Sequence, residues 1–224
     1  MAIHNRSQHL REIGIVRWQR RSSSTSPVRA DGDAIELEAL SDKVRQCQAC
    51  GLHKQRQNTV FGHGSIDADW LFVGEAPGSE EDKQGLPFVG RAGQLLNSIL
   101  FSIGLTRDEV YITNVLKCRP PGNRDPMGEE VIQCEPYLHD QIDRIKPEII
   151  IAMGRFAAQA LLKSTASIAE LRGQRHEYSK LKIPLVVTYH PAYLLRSLLE
   201  KRKVWKDLQF AQALFDGSEN ERSV

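Results

Sequence analysis

Trp70-Leu-Phe-Val-Gly74-Glu-Ala-Pro-Gly78-Ser-Glu-Glu-Asp82 is the stretch whose reading decides the fold. Four apolar residues run into a glycine, and a tight turn rich in glycine and acid follows. An apolar run this short, bounded by turn residues, reads as a buried strand. Three similar runs lie downstream: Val110-Tyr-Ile-Thr113, Glu148-Ile-Ile-Ile-Ala152 and Leu185-Val-Val-Thr-Tyr189. Around them the apolar spacing becomes helical, over 35–46, 91–103, 128–145, from the third strand through Leu162, and over 191–215. Strands alternating with helices predict an α/β fold with a parallel sheet covered on both faces. In such sheets ligand sites gather outside the carboxyl ends of the strands. No internal repeat is present.

The chain has 224 residues and a formal net charge of +2. That length is enough for one domain whose core does not depend on a metal in order to form. The charge carries no global basic signature, so any contact with nucleic acid must come from a local patch. No apolar run approaches the roughly 20 residues needed to span a bilayer, and the N-terminus lacks the apolar segment of a secretion signal. The expected location is therefore cytoplasmic, with no membrane contact.

Four cysteines are present, as Cys47-Gln-Ala-Cys50, then Cys118, then Cys134. A Cys-x-x-Cys pair brings two thiolates to one centre from a tight turn, and two distant cysteines complete a soft four-sulfur set. Such a set suits structural zinc or an iron–sulfur cluster. The plainer alternatives are two disulfides, which the lack of a secretion signal disfavours, or a redox Cys-x-x-Cys with two buried thiols.

The strand ends carry the other polar motifs. The first strand runs into Gly74-Glu-Ala-Pro-Gly78, whose backbone N–H groups are placed to face a ligand. Gly85-Leu-Pro-Phe-Val-Gly90 then displays Phe88 between constrained residues, which suits stacking on a planar base. The second strand ends at Asn114, which offers a donor and an acceptor to an amide-like edge, and then at Lys117-Cys-Arg-Pro-Pro-Gly-Asn-Arg124. The fourth runs into His190-Pro-Ala-Tyr-Leu-Leu-Arg196. Taken singly, Phe88 reads as a core aromatic, Asn114 as a turn residue, His190 as structural and Glu75, Glu80 and Glu81 as a solvated acidic loop. Gathered on one rim, they read as a site.

Together these motifs closely resemble the family 4 uracil-DNA glycosylases, the iron–sulfur branch of the uracil-DNA glycosylase superfamily, from about residue 40 to 212. The matching segments are Gly74 to Gly78, Gly85 to Gly93, Tyr111 to Asn114, Lys117 to Arg124 and His190 to Arg196, with the four cysteines. The resemblance implies a three-layer α/β/α fold with a four-stranded parallel sheet. It implies a structural [4Fe–4S] cluster on Cys47, Cys50, Cys118 and Cys134. It also implies hydrolysis of the N-glycosidic bond of uracil in DNA, leaving an abasic site, with no diffusible cofactor. Gly74, Glu75 and Ala76 would line the uracil pocket, Phe88 would stack on the base and Asn114 would read O4 and N3–H. Glu81 would exclude the methyl of thymine, and His190 would donate a hydrogen bond to O2. The family 1 enzymes place an Asp where Ala76 stands here. Asn123 is therefore the first candidate to hold the attacking water, and Glu75 the second. Lys117, Arg119, Arg124 and Arg196 are expected to contact DNA beside the basic stretch of Lys201, Arg202, Lys203 and Lys206, with Leu194 or Leu195 as an apolar wedge.

The expected partner is uracil-containing DNA, bound by a monomer. Residues 1–34 read as an extension, 35–215 as the glycosylase domain and 216–224 as a flexible tail. Within the extension, Leu10 to Arg20 resembles the N-terminal peptide of the psi subunit of bacterial DNA polymerase III, which implies contact with a clamp loader. Two other function classes fit less well. A non-catalytic base-binding module held by zinc would not need Glu75, Phe88, Asn114 and His190 all intact. A nucleotide-binding domain would set phosphate beside the acids Glu80 to Asp82.

Overall fold

The computed structural model describes residues 31–178 and 181–222. The N-terminal peptide proposed to meet a clamp loader lies outside the described residues. In chain order the elements are helix α1 (Asp31–Gln46), strands β1 (His63–Gly64) and β2 (Trp70–Gly74), helices α2 (Ser79–Gln84) and α3 (Arg91–Ser102), strand β3 (Tyr111–Asn114) and helix α4 (Gly128–Ile145). Then come β4 (Ile149–Met153), α5 (Arg155–Leu162), α6 (Ile168–Leu171), β5 (His176–Tyr178), β6 (Ile183–Thr188), α7 (Pro191–Leu194) and α8 (Lys201–Arg222).

The sheet order is β1-β3-β2-β4-β6-β5. The central four strands are parallel, and the two outer strands are antiparallel to their neighbours. The expected parallel sheet is thus present, with an edge strand added on each side. Those edges are two and three residues long and only partly buried, so no apolar run announced them. From β2 the chain passes to β3 on one side and later to β4 on the other. The carboxyl end of β2, at Gly74, is therefore the topological switch point where such sheets open a crevice.

Every residue of β2 and β4 is buried, as strands covered on both faces must be. Alternate residues feed two separate cores. Leu71, Val73, Ile150, Ala152, Leu185 and Val187 pack with Leu138, Ile142 and Ile145 of α4 and Ala157, Ala158 and Leu161 of α5. Trp70, Phe72, Ile149, Ile151 and Val186 pack with Leu96 and Leu100 of α3 and Val204, Leu208 and Ala211 of α8. The result is the three-layer α/β/α arrangement. Among the described residues, no helix is long and apolar enough to cross a membrane.

Three boundaries differ from the sequence reading. The helix predicted over 191–215 is broken: α7 stops at Leu194 and α8 begins at Lys201, with a 3-10 turn at Leu198–Glu200 between them. The first helix starts at Asp31 rather than at 35, and the last continues to Arg222 rather than giving way to a tail at 216.

Candidate active site and cysteine centre

Gly74 closes β2 in register with Asn114 at the end of β3. A Cβ on Gly74 would stand 2.3 Å from Asn114 Oδ1 and 2.6 Å from Phe88 Cζ. The absence of a side chain at this position is what lets the amide and the ring face the same space. Asn114 is 2% exposed, and its Oδ1 is buried with no hydrogen-bond partner among the described residues. An unpaired buried acceptor costs free energy unless a ligand completes it.

Phe88 is buried and sits at φ 53°, a left-handed conformation uncommon for an aromatic residue. Its neighbours hold it there. The Arg107 guanidinium donates to Phe88 O at 2.9 Å and also to Pro87 O. A Cβ on Gly93 would lie 1.8 Å from Phe88 O, so α3 can approach this turn only as glycine. Glu81 braces the same turn from the other side: its Oε1 accepts from the backbone N–H groups of Val89 and Gly90, both at 2.9 Å. That places a carboxylate at the N-terminus of α3, where the helix dipole favours it.

His190 follows β6 and faces Phe88, with ring centroids 5.4 Å apart and planes inclined by 32°. Its Nδ1 accepts the Ala192 backbone N–H at 3.1 Å, so the proton of the neutral ring is on Nε2. Burial pushes its pKa down to about 4, against an opposing pull from Glu81. His190 is thus a neutral hydrogen-bond donor. Gly154, at φ 93°, passes close behind it; a Cβ there would stand 3.0 Å from His190 Cβ. The strand leading to His190 is anchored by buried Asp207, which accepts from Thr188 Oγ1 at 2.6 Å and pairs with Arg172.

Glu75 is half-buried at the rim. Burial, and next the charge of Asp125, push its carboxyl up to about 7, with Arg155 opposing. Asn123, the first candidate for the water, is exposed at φ 55° on a loop tip, and its Oδ1 accepts from Arg119 Nε at 2.7 Å. Ala76 packs toward the cysteines, against the cluster of Leu52, Leu116, Cys118 and Cys134.

None of the four cysteines is in a disulfide, and all four line one recess together with Arg56, Lys117 and Tyr137. Hydrogen bonds already reach three of the sulfurs: Arg56 Nη1 to Cys118 at 3.0 Å, Lys117 N to Cys134 at 3.2 Å and Ala49 N to Cys47 at 3.5 Å. Burial pushes the Cys134 thiol up to about 12 and raises Cys118 as well. Among the described residues, no three His, Cys, Asp or Glu side chains are placed to hold a single metal ion.

The structure buries two of the expected DNA contacts. Lys117 is 1% exposed and its ammonium is fully engaged inside the protein. Leu194 is a core residue with no exposed surface, whereas Leu195 is half-buried. Arg124 is half-buried and donates to Glu130 through two hydrogen bonds at 2.5 and 2.9 Å. Arg119 is half-buried, and Arg196, Lys201, Arg202, Lys203 and Lys206 are exposed. Sequence reasoning missed Leu198 and Leu199, which are 63% and 77% exposed between α7 and the basic start of α8.

A neutral histidine, an asparagine with an unpaired buried oxygen and an aromatic ring stand together at the switch point of an α/β sheet. The family model for the Uracil DNA glycosylase superfamily matches residues 61–209. The type-4 uracil-DNA glycosylase of Archaeoglobus fulgidus is 48% identical over 71% of this chain and 84% of its own length. The corresponding proteins of Saccharolobus solfataricus and Thermotoga maritima are 46% and 43% identical, over 75% and 79% of this chain and 84% and 93% of their own lengths. The chain belongs to the uracil-DNA glycosylase superfamily, in its type 4 branch.

Proposed function

We propose that this chain excises uracil from DNA by hydrolysing the bond between N1 and C1′, leaving an abasic site. The observation that carries this reading is the unpaired, buried Oδ1 of Asn114, which shares the space over Gly74 with the Phe88 ring. A base inside a duplex is out of reach, so the nucleotide must be flipped into the pocket. Phe88 then stacks on it, a contact worth about 1–3 kcal/mol. Asn114 Oδ1 accepts N3–H of uracil and its amide donates to O4. Cytosine presents the opposite pattern and leaves both groups unpaired. Glu81, fixed by the N–H groups of Val89 and Gly90, is the residue assigned to exclude the methyl of thymine. As the bond breaks, its electron pair passes to N1 and O2, and His190 Nε2–H stabilises the charge. Water adds to C1′ and gives its proton to Glu75, whose raised pKa makes it the better base. Asn123 is left as a loop residue that orders Arg119. The basic stretch from Arg196 to Lys206 contacts the phosphates, and Leu195, Leu198 and Leu199 fill the gap in the stack.

A single-turnover excision assay over a pH series, with an oligonucleotide carrying one uracil, tests the role of Glu75. If the ionised carboxylate takes the proton, the rate rises as pH increases through about 7. Glu75→Gln is expected to be slower by about 10²–10⁴-fold and flat through that range. An unchanged profile in the variant returns the water to Asn123 or to no side chain at all.

The donor set fits an iron–sulfur cluster on Cys47, Cys50, Cys118 and Cys134. Four thiols line one recess, and amide and guanidinium donors reach their sulfurs. Bound there, a [4Fe–4S] cluster would tie distant segments of the chain together. Anaerobically purified protein is expected to contain about four irons per chain. Cys134→Ala is expected to lose the brown colour and to melt at a lower temperature. Stoichiometric zinc in place of iron contradicts the assignment.

A further inference from the structure

Lys117 is a fully buried lysine whose three ammonium protons all go to uncharged acceptors. They reach Thr113 Oγ1 at 2.8 Å, Asn114 O at 2.6 Å and Gln141 Oε1 at 2.5 Å. Gln141, itself completely buried, donates from Nε2 to Phe61 O at 3.0 Å and to the Tyr111 hydroxyl at 3.4 Å. Thr113 Oγ1 also donates to Phe61 O at 2.7 Å. The network is enclosed by strand β3, helix α4 and the segment before β1, and it borders the cysteine recess that Lys117 also lines. The backbone of Lys117 completes it by donating to Cys134 Sγ.

Burying an ammonium is unfavourable, and a packed apolar side chain of the same length would fill this space without that cost. The position of the charge explains its retention. One of its three bonds goes to the carbonyl of Asn114, the residue whose amide must point into the pocket although its Oδ1 has no protein partner to hold it there. An amide kept free for the base cannot be fixed through its own hydrogen bonds, so its direction has to come from its backbone.

We propose that Lys117 is a positioning residue for base recognition: its buried ammonium clamps the Asn114 peptide to Thr113 and Gln141 and so aims the Asn114 amide at the flipped uracil. This inference rests on the assignment of Asn114 as the uracil reader. It also explains why a lysine beside a proposed DNA-binding loop is absent from the surface.

The test is a double-mutant cycle. Single-turnover excision from an oligonucleotide carrying one uracil is measured for the wild type, Lys117→Met, Asn114→Ala and the double variant, alongside thermal melting. Lys117→Met is expected to slow excision about 10- to 100-fold, the range for members of one hydrogen-bonded network. Apparent DNA affinity should be nearly unchanged, since no phosphate contact is lost. The double variant should be no slower than Asn114→Ala, because the lysine acts only through the asparagine. Losses that multiply, or Lys117→Met at the wild-type rate, overturn the inference. Asn114→Ala at the wild-type rate overturns the assignment beneath it, and the inference falls with it. Should Lys117→Met fail to fold, the same cycle is run with Thr113→Val, which removes one acceptor at constant shape. There a loss absorbed by Asn114→Ala supports the clamp, and a multiplicative loss or none overturns it.

Discussion

His190→Ser is expected to slow uracil excision by about 10²–10³-fold, the usual cost of one preorganised donor to a developing oxyanion, about 2.7–4 kcal/mol. Serine is the informative substitution. His190 also caps α7 by accepting the Ala192 N–H, and alanine would remove the cap together with the donor, at about 0.5–2 kcal/mol of stability. Serine keeps a capping oxygen but is too short to reach the base. A melting temperature close to that of the wild type with a rate lowered 100-fold or more separates the two roles. The pH dependence sets a second condition. The His190 pKa is depressed from 6.5 to about 4, so the ring stays neutral through neutral pH and its contribution to the rate should be flat there. Its contribution to stability has the opposite direction in acid. Below pH 6.5 the unfolded chain takes up a proton that the folded chain refuses until about 4, so stability falls as pH drops through that window.

Gly74→Ala is expected to lower kcat/KM by at least about 10²-fold, by filling the pocket rather than by removing a group. The new methyl would meet Asn114 Oδ1 at 2.3 Å and Phe88 Cζ at 2.6 Å, both inside any real contact distance. Neither neighbour yields easily. Phe88 is held at positive φ by Arg107, and Asn114 is held by its strand pairing and by Lys117. Overpacking of this kind costs about 1–3 kcal/mol of stability, so the variant should still fold. The measurements are single-turnover rate and protection by free uracil. A folded Gly74→Ala protein that retains wild-type rate and binds uracil would show that the base does not enter between Phe88 and Asn114.

Much of the site was legible because its residues sit at punctuation in the chain. Gly74 ends an apolar run, Asn114 ends another and His190 precedes a proline, so the fold rule alone brought them to one rim. The cysteine spacing was legible for the same reason, since soft ligands in that pattern have few other uses. Burial within charged and apolar stretches was not legible. Lys117 reads as a surface cation by residue type, and only the buried Val115 and Leu116 before it, with Cys118 after it, hint that the chain is still inside. Leu194 and Leu195 are indistinguishable in sequence. The short α7 turns the first into the core and ends before Leu198 and Leu199, which a continuous helix would have rotated elsewhere. Asn123 reads as a water ligand by its chemistry, whereas its place at the tip of Pro121-Gly-Asn123 exposes it. The edge strands β1 and β5 are too short to carry a period.

The central claim is that Asn114 and His190 together bind and release uracil at the end of β2. It is tested most directly by alkali-labile cleavage of an oligonucleotide carrying one uracil, comparing the anaerobically purified wild type with the Asn114→Ala, His190→Ala double variant. The account predicts cleavage at the uracil by the wild type and a loss of at least about 10³-fold in the folded double variant, more than either donor alone supplies. Undiminished cleavage by that variant, or none by a folded wild-type protein, would contradict it.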